Sequence, residues 1–153
     1  MSSTIPDIKA ALVTRFAADD DLSDIQCTWG HPYPDRSEEE LIIIGPATET
    51  EIPAGLGTNN REESYNLDII VSVARASRES QQTLETRAFV IAGHIEDSIV
   101  DWRTEESVFN GINGWIIGSA MTTGEVLETH PESGQVTGRE ASVTITLAVV
   151  ARK

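Results

Sequence analysis

The sequence predicts an α+β fold: a mainly antiparallel or mixed sheet, with a short N-terminal helix and one long helix packed on one face. Residues 67–76 and 140–152 show the period-two alternation of apolar and polar side chains that is typical of strands. Two other segments show helical periodicity. Because the helices are not interleaved with every strand, the pattern favours antiparallel pairing, although the helical crossover can still join two strands in parallel.

The first helix is predicted over about residues 5–18. Thr4 is its predicted N-cap, and Asp7 follows three residues later in the manner of a capping box. Apolar residues spaced by three and four form one stripe, which consists of Ile5, Ile8, Leu12 and Phe16. The acid-rich segment 19–24 ends the helix.

Two short strands are predicted next, at residues 25–29 and 41–45. A loop rich in Pro, Gly, Asn, Thr and Glu follows over about residues 46–64, and its length indicates mobility or a binding role. After the alternating strand, a long helix begins near residues 77–80 and ends near Trp102. Its predicted buried stripe consists of Leu84, Ala88, Ile91, Ile95 and Ile99. Gly93 lowers the stability of this helix, so we expect close packing against a strand there.

The last third of the chain returns to strands. Asn-Gly turns at residues 110–111 and 113–114 precede a strand that begins at residues 115–117, and a weaker strand is predicted over residues 123–129. A polar loop over about residues 130–139 leads to the final strand. No internal repeat or linker stands out, so residues 1–153 are predicted to form a single domain.

The composition is that of a globular chain, with 39% hydrophobic and 24% charged residues. Cys27 is the only cysteine, so no intrachain disulfide is expected, which fits a reducing compartment. No apolar run approaches the roughly 20 residues that span a bilayer, and no secretory signal is visible at the N-terminus. We therefore expect no membrane association.

Charge is the strongest compositional feature. Twenty-five Asp and Glu residues oppose eleven Lys and Arg residues, which gives a formal net charge of −14. Such a chain is repelled by phosphate backbones and by anionic lipids, so ordinary nucleic-acid or membrane binding is not expected. The charge indicates either solubility alone or a surface that stays close to DNA without gripping it.

Catalytic, cofactor-binding and metal-binding motifs are not found, so the sequence predicts no enzyme, no cofactor and no metal site. Cys27 lies inside a predicted strand and is expected to be a small buried residue. The three histidines, His31, His94 and His130, are far apart in sequence. Acidic residues 19–24 lack the glycine and glutamate that an EF-hand calcium loop requires at its sixth and twelfth positions.

The order of elements resembles that of the tail terminator and related head–tail joining proteins of long-tailed, siphovirus-type bacteriophages. The resemblance is one of layout and covers nearly the whole chain. In the first half of the chain it rests on the helix at residues 5–16, the segment Trp29-Gly30-His31-Pro32 and the strand Glu40-Leu41-Ile42-Ile43-Ile44-Gly45. The polar segment Asn60-Arg61-Glu62-Glu63-Ser64-Tyr65 then leads into the strand 66–76. In the second half it rests on the long helix, the Gly- and Asn-marked turns and the strand 139–152.

This resemblance implies a structural virion protein that closes into a homohexameric ring at the head-proximal end of the tail. The ring would cap the tail tube and join it to the head connector, after assembly in the host cytoplasm. Its partners would be the major tail tube protein and head–tail connector proteins, and DNA would pass through an acidic lumen without specific binding. Candidate subunit-interface residues are Trp29, Glu49, Glu51, Ile52, Leu56 and Arg61.

Two alternatives stay open at this point. One is another neck or tail-completion protein of the head–tail interface. The other is a small hydrolase or binding domain whose site forms only in the fold, because carboxylates that are distant in sequence can meet in three dimensions. A deep pocket with converging ionisable groups would favour this second alternative.

Overall fold

The computed structural model describes residues 3–30, 39–51, 62–75, 80–105, 108–109, 112–129, 131–133 and 136–152. Two helices and six strands follow one another along these residues. In chain order they are α1 (Ile5–Ala18), β1 (Gln26–Trp29), β2 (Glu40–Glu51), β3 (Glu62–Arg75), α2 (Gln81–Glu105), β4 (Val108–Phe109), β5 (Ile112–Thr129) and β6 (Val136–Arg152).

The six strands form one mixed sheet in the order β1-β2-β3-β6-β5-β4. β1 and β2 are parallel, and every other neighbouring pair is antiparallel. Since β3 and β5 are both antiparallel to β6, they run in the same direction, and α2 is the crossover that connects them. The predicted α+β class with a mainly antiparallel sheet is confirmed, and the single helical crossover joins two parallel strands.

One face of the sheet is covered by both helices. Alternate residues of β3 and β6 are buried against them, from Tyr65 to Val73 and from Ala141 to Ala151. From the helices, the buried residues are Ile8, Ala11, Leu12, Phe16, Leu84, Ala88, Ile91, Ala92, Ile95 and Ile99. Both stripes that the helical spacing predicts therefore face the sheet, with Ile5 only partly buried at the start of α1.

The opposite face is polar along much of its length, and its side chains bond across strands. Ser72 donates a hydrogen bond to Glu140 at 2.8 Å, and Thr146 donates one to Asp68 at 2.8 Å. β3 and β6 thus alternate between an apolar row under the helices and a more polar row on the other side, which fixes the register of the central pair.

Several predicted boundaries were wrong in the same direction, because the strands are longer than predicted. The loop expected over residues 46–64 is strand at both ends: β2 continues to Glu51, β3 begins at Glu62, and residues 52–61 lie outside the described residues. The loop expected over residues 130–139 is also shorter, since β5 ends at Thr129 and β6 begins at Val136. The two strands predicted between residues 115 and 129 are one strand, β5. Cross-strand pairing overrides the Gly, Pro and Glu content of these segments.

Two local expectations were also wrong. Thr4 is the N-cap residue of α1, but its side chain makes no capping hydrogen bond to the helix, so the predicted capping box with Asp7 is absent. In α2, a Cβ atom added at Gly93 would meet nothing within 4 Å. Close packing against a described strand of the same chain is therefore not the reason for this glycine.

Candidate assembly surfaces

β5 lies next to one border of the sheet and leaves most of its outer side open. β4 covers only its first two residues, where Val108 pairs with Asn113 and Phe109 pairs with Ile112. Residues 118–128 form an uninterrupted run of eleven pairs with β6, from Gly118–Ala148 to Glu128–Gly138. Among the described residues, no strand pairs with the other side of this run, which we call the β5 edge.

The β5 edge lacks most of the features that protect border strands from pairing. It contains no Lys, Arg or Pro, and residues 118–124 carry no charge. The two register shifts of the strand fall outside it, one between Ile116 and Gly118 and one between Glu128 and Thr129. Both faces of the strand are exposed from Thr122 to Val126, and Val126 is 55% exposed. Such a strand offers a row of backbone donors and acceptors to another chain.

The other border of the sheet is shorter and less regular. β1 pairs with only four residues of β2, from Leu41 to Ile44, so residues 45–51 of β2 extend beyond it. Pro46 lies at a register shift in this part of β2, which is a usual place for a proline on a border strand. We call β1 together with residues 45–51 the β2 edge. Within the described ranges this edge also has no further strand beside it.

Trp29 ends β1 on the β2 edge and is 53% exposed. The Lys9 ammonium group lies 6.0 Å from the centre of its ring, at the limit of a cation–π contact. The following Gly30 donates its N–H to the Ile44 carbonyl at 2.9 Å and has a φ of 76°, a conformation that favours glycine. An exposed tryptophan at the end of a border strand has the properties of an interface anchor.

Two of the remaining predicted interface residues, Glu49 and Glu51, belong to β2. Glu49 is exposed on β2, where it pairs with Tyr65, and Glu51 is the last residue of β2 and pairs with Ser64. Ile52, Leu56 and Arg61 lie outside the described residues. The structure thus places Glu49 and Glu51 on the β2 edge together with Trp29. Trp29 pairs with Ile44, so Trp29 and Glu51 lie at different positions along the strand direction.

The turns of the two long hairpins lie at opposite ends of the sheet. β6 shows this directly, since its Arg152 pairs with Glu62 beside the β2–β3 connection, whereas its Val136 pairs with Thr129 at the β5–β6 turn. The sheet therefore has two different borders and two different ends, so it offers four distinct surfaces to neighbouring molecules.

An ion-pair cluster joins α2 to the β5–β6 turn end of the sheet. Arg87 donates from Nε and Nη2 to the two carboxylate oxygens of Glu40, the second at 3.1 Å. This hydrogen bonding, with the nearby positive charge of Arg87 and Arg75, lowers the pKa of Glu40 against the effect of its burial. Arg75 also lies 2.8 Å from Glu39. The cluster ties the first turns of α2 to the start of β2.

A second polar cluster joins the start of α1 to the opposite end of the sheet. Oε2 of the buried Glu63 accepts hydrogen bonds from the Thr4 N–H at 2.9 Å, the Thr4 hydroxyl at 2.6 Å and the Ser3 hydroxyl at 3.1 Å. The Tyr65 hydroxyl lies 3.4 Å from the Thr4 hydroxyl, and burial raises the pKa of Tyr65 to about 12. The carboxylate stands at the helix N-terminus, where negative charge is stabilised.

Two of the residues considered for chemistry, Cys27 and His94, lie in the described part of the chain. Burial raises the pKa of Cys27 to about 11, which makes its thiol a poor nucleophile. His94 faces Asp21 at 3.7 Å, and the Asp21 N–H bonds to Asp19, so the acid-rich segment is a hydrogen-bonded helix end. Among the described residues, no three His, Cys, Asp or Glu side chains form a group suited to a metal ion. His31 and His130 lie outside the described residues.

No described helix has the length and apolar character that crossing a membrane requires.

Sequence reasoning missed the main surface feature, the β5 edge. The available signal was the absence of Lys, Arg and Pro from residues 112–129. Three glycines interrupt that segment, so its sequence pattern predicts separate strands and not one long strand. It also missed the contact between Thr4 and Glu63, because residues 59 positions apart leave no local pattern.

Comparison with known proteins finds a likeness among solved structures. No family model and no curated protein matches the chain. Among solved structures, the chain is similar to a chain of the virion of a native gene transfer agent (GTA) particle, with a TM-score of 0.47 and 9% sequence identity. The alignment covers 97% of this chain and 98% of that chain.

Proposed function

We propose that this chain is a structural virion protein, a tail terminator whose copies close into a ring at the head-proximal end of a phage tail tube. The observation that carries the assembly part of this proposal is the β5 edge, an eleven-residue strand border without a neighbour among the described residues. The resemblance of layout supports the place of the ring in the virion. The proposed role is structural and involves no catalysis.

The directions of the strands support a head-to-tail contact between copies. β5 is parallel to β3, whereas β2 and β1 are antiparallel to β3, so the two borders of the sheet run in opposite directions. A rotation about an axis along the strands leaves these directions unchanged. The β5 edge of one copy therefore meets the β2 edge of the next as an antiparallel pair, and repetition of this contact closes a ring.

Each contact would pair unlike surfaces, as a head-to-tail ring requires. The β5 edge supplies regular backbone, and the β2 edge supplies the short β1 strand, Glu49, Glu51 and the exposed Trp29. The two hairpin turns then lie on the two opposite rims of the ring, one toward the tail tube and one toward the head connector. A net charge of −14 per copy would keep DNA from adhering to the lumen.

The test is the mass of the protein in solution with and without a blunted β5 edge. Thr122→Lys/Thr123→Lys adds a lysine on each face of the strand, which is a common way to prevent edge pairing. We expect light scattering coupled to size-exclusion chromatography to give a ring of about six copies for the unchanged chain and a folded monomer for this variant.

The matched control is Gln82→Lys/Thr86→Lys, which adds the same two charges at exposed positions of α2, the helix that packs mainly on the central strands β3 and β6. The control should keep the ring. If the blunted variant assembles as well as the control does, the β5 edge is not the contact. Binding of the ring to isolated tail tubes, or its place in a virion reconstruction, separates a terminator from another neck protein.

A further inference from the structure

A second surface, on α2, is independent of the β5 edge. The side of α2 that faces away from the sheet has an apolar row formed by Phe89, Gly93 and Val100, with Val90 beside it, which we call the α2 stripe. Phe89 is 41% exposed, Val90 43% and Val100 58%. Spacings of four and seven residues place Phe89, Gly93 and Val100 on one line of a helix, about 16 Å from end to end.

Gly93 lies in the middle of this line, and no contact among the described residues requires a glycine there. A Cβ atom there would meet nothing within 4 Å, and its backbone is not in a conformation that needs glycine. Glycine is the least favourable helix residue after proline, so it weakens a helix of 25 residues without an internal benefit. A flat, backbone-lined position between two exposed apolar side chains suits the close approach of another helix.

The charges beside the α2 stripe indicate which kind of partner can bind there. From residue 82 to residue 101 the helix carries four carboxylates and one guanidinium group, and that guanidinium group binds Glu40. The carboxylates belong to Glu85, Glu96, Asp97 and Asp101. Two copies of this chain that met through α2 would bring eight carboxylates together at the contact itself. A second copy is therefore disfavoured.

We propose that the α2 stripe is a docking surface for an amphipathic helix of a different, positively charged protein. Apolar side chains of the partner would lie between Phe89 and Val100, its backbone would approach Gly93, and Lys or Arg residues on its flanks would face the acidic residues of α2. This is the helix-on-helix mode of recognition, with apolar anchors for affinity and charge for partner choice.

The probe is a fluorescent helical peptide of about 20 residues with leucine on one face and lysine on the other, measured by anisotropy with the full chain. A second peptide has glutamate in place of every lysine. We expect the lysine peptide to bind saturably, its affinity to fall at least about 10-fold between ~50 and ~500 mM salt, and the glutamate peptide not to bind.

Variants then distinguish binding of the lysine peptide at the α2 stripe from its general electrostatic attraction to an acidic protein. Phe89→Ser/Val100→Ser keeps every charge and should weaken binding of the lysine peptide at least about 10-fold. Gly93→Leu should weaken it similarly while raising the melting temperature by about 2–4 °C, because leucine is a better helix former than glycine. Val126→Ser, which removes an exposed apolar side chain on β5, is the control and should leave the affinity unchanged.

The proposal is overturned if the lysine peptide does not bind, or if Phe89→Ser/Val100→Ser and the control bind it equally. It is also overturned if Phe89→Ser/Val100→Ser changes the mass of the chain on its own, because a second copy would then occupy the stripe. Since the stripe and the β5 edge share no residue, a failure here leaves the proposed ring intact, and the reverse also holds.

Discussion

Thr4→Val removes one hydroxyl group from the start of α1 and keeps the volume of the side chain. That hydroxyl donates a 2.6 Å hydrogen bond to the buried carboxylate of Glu63, while the Thr4 N–H and Ser3 hydroxyl bonds to the same oxygen remain. A hydrogen bond to a charged group contributes about 1.5–3 kcal/mol, so we expect the free energy of unfolding to fall by about 2 kcal/mol. For a chain of 153 residues this lowers the melting temperature by about 4–8 °C.

The assay is urea unfolding followed by tryptophan fluorescence, with the midpoint shifted and the slope unchanged. Thr14→Val is the matched control, because Thr14 is exposed on the same helix and its hydroxyl bonds only to the Ala10 carbonyl at 3.1 Å. The control should change the free energy of unfolding by less than about 0.5 kcal/mol. If the two variants are equally stable, Glu63 does not anchor α1 through this hydroxyl.

Two further predictions concern titratable groups. Glu40→Gln should lower the free energy of unfolding by about 0.5–1 kcal/mol at pH 7, a modest loss because the ion pair with Arg87 is partly exposed. Hydrogen bonding to Arg87 holds the folded-state pKa of Glu40 below its ordinary value of 4.5, so this contribution is present above that pH and is lost as the pH falls through the folded-state pKa. The difference in the free energy of unfolding between the two proteins, measured in urea, should therefore shrink as the pH is lowered below 4.5, and a constant difference would contradict the ion pair. Cys27, with a pKa of about 11 against an ordinary value of 9.0, should react with a thiol reagent about 100-fold more slowly at pH 8 in the folded chain than in urea, and equal rates would show that its thiol is not desolvated.

The sequence was informative wherever one periodicity extended over several residues. The stripe Ile8–Leu12–Phe16 predicted α1 with its observed bounds, and the alternation from Leu67 to Val73 predicted the centre of β3. In both cases burial on one side of an element enforces the pattern, so it is visible without knowledge of the partner element.

Strand ends and polar contacts were not predictable in this way. The outer parts of β2 and β3 are held by pairing between Ala47 and Leu67 and between Glu49 and Tyr65, which depends on both strands at once. The bond between Thr4 and Glu63 likewise exists only after α1 has docked on the sheet. The exposed α2 stripe did have a signal, since Phe89 and Val100 lie opposite the predicted buried stripe of the helix.

The most direct test of the proposed ring is an electron-microscopy reconstruction of the assembly that the purified chain forms as its concentration is raised. The proposal predicts a closed ring, six copies by the resemblance, in which residues 118–128 of each copy pair antiparallel with the β2 edge of the next. A ring in which the β5 edge faces solvent, or a chain that stays monomeric at every concentration and beside tail tubes, would contradict it.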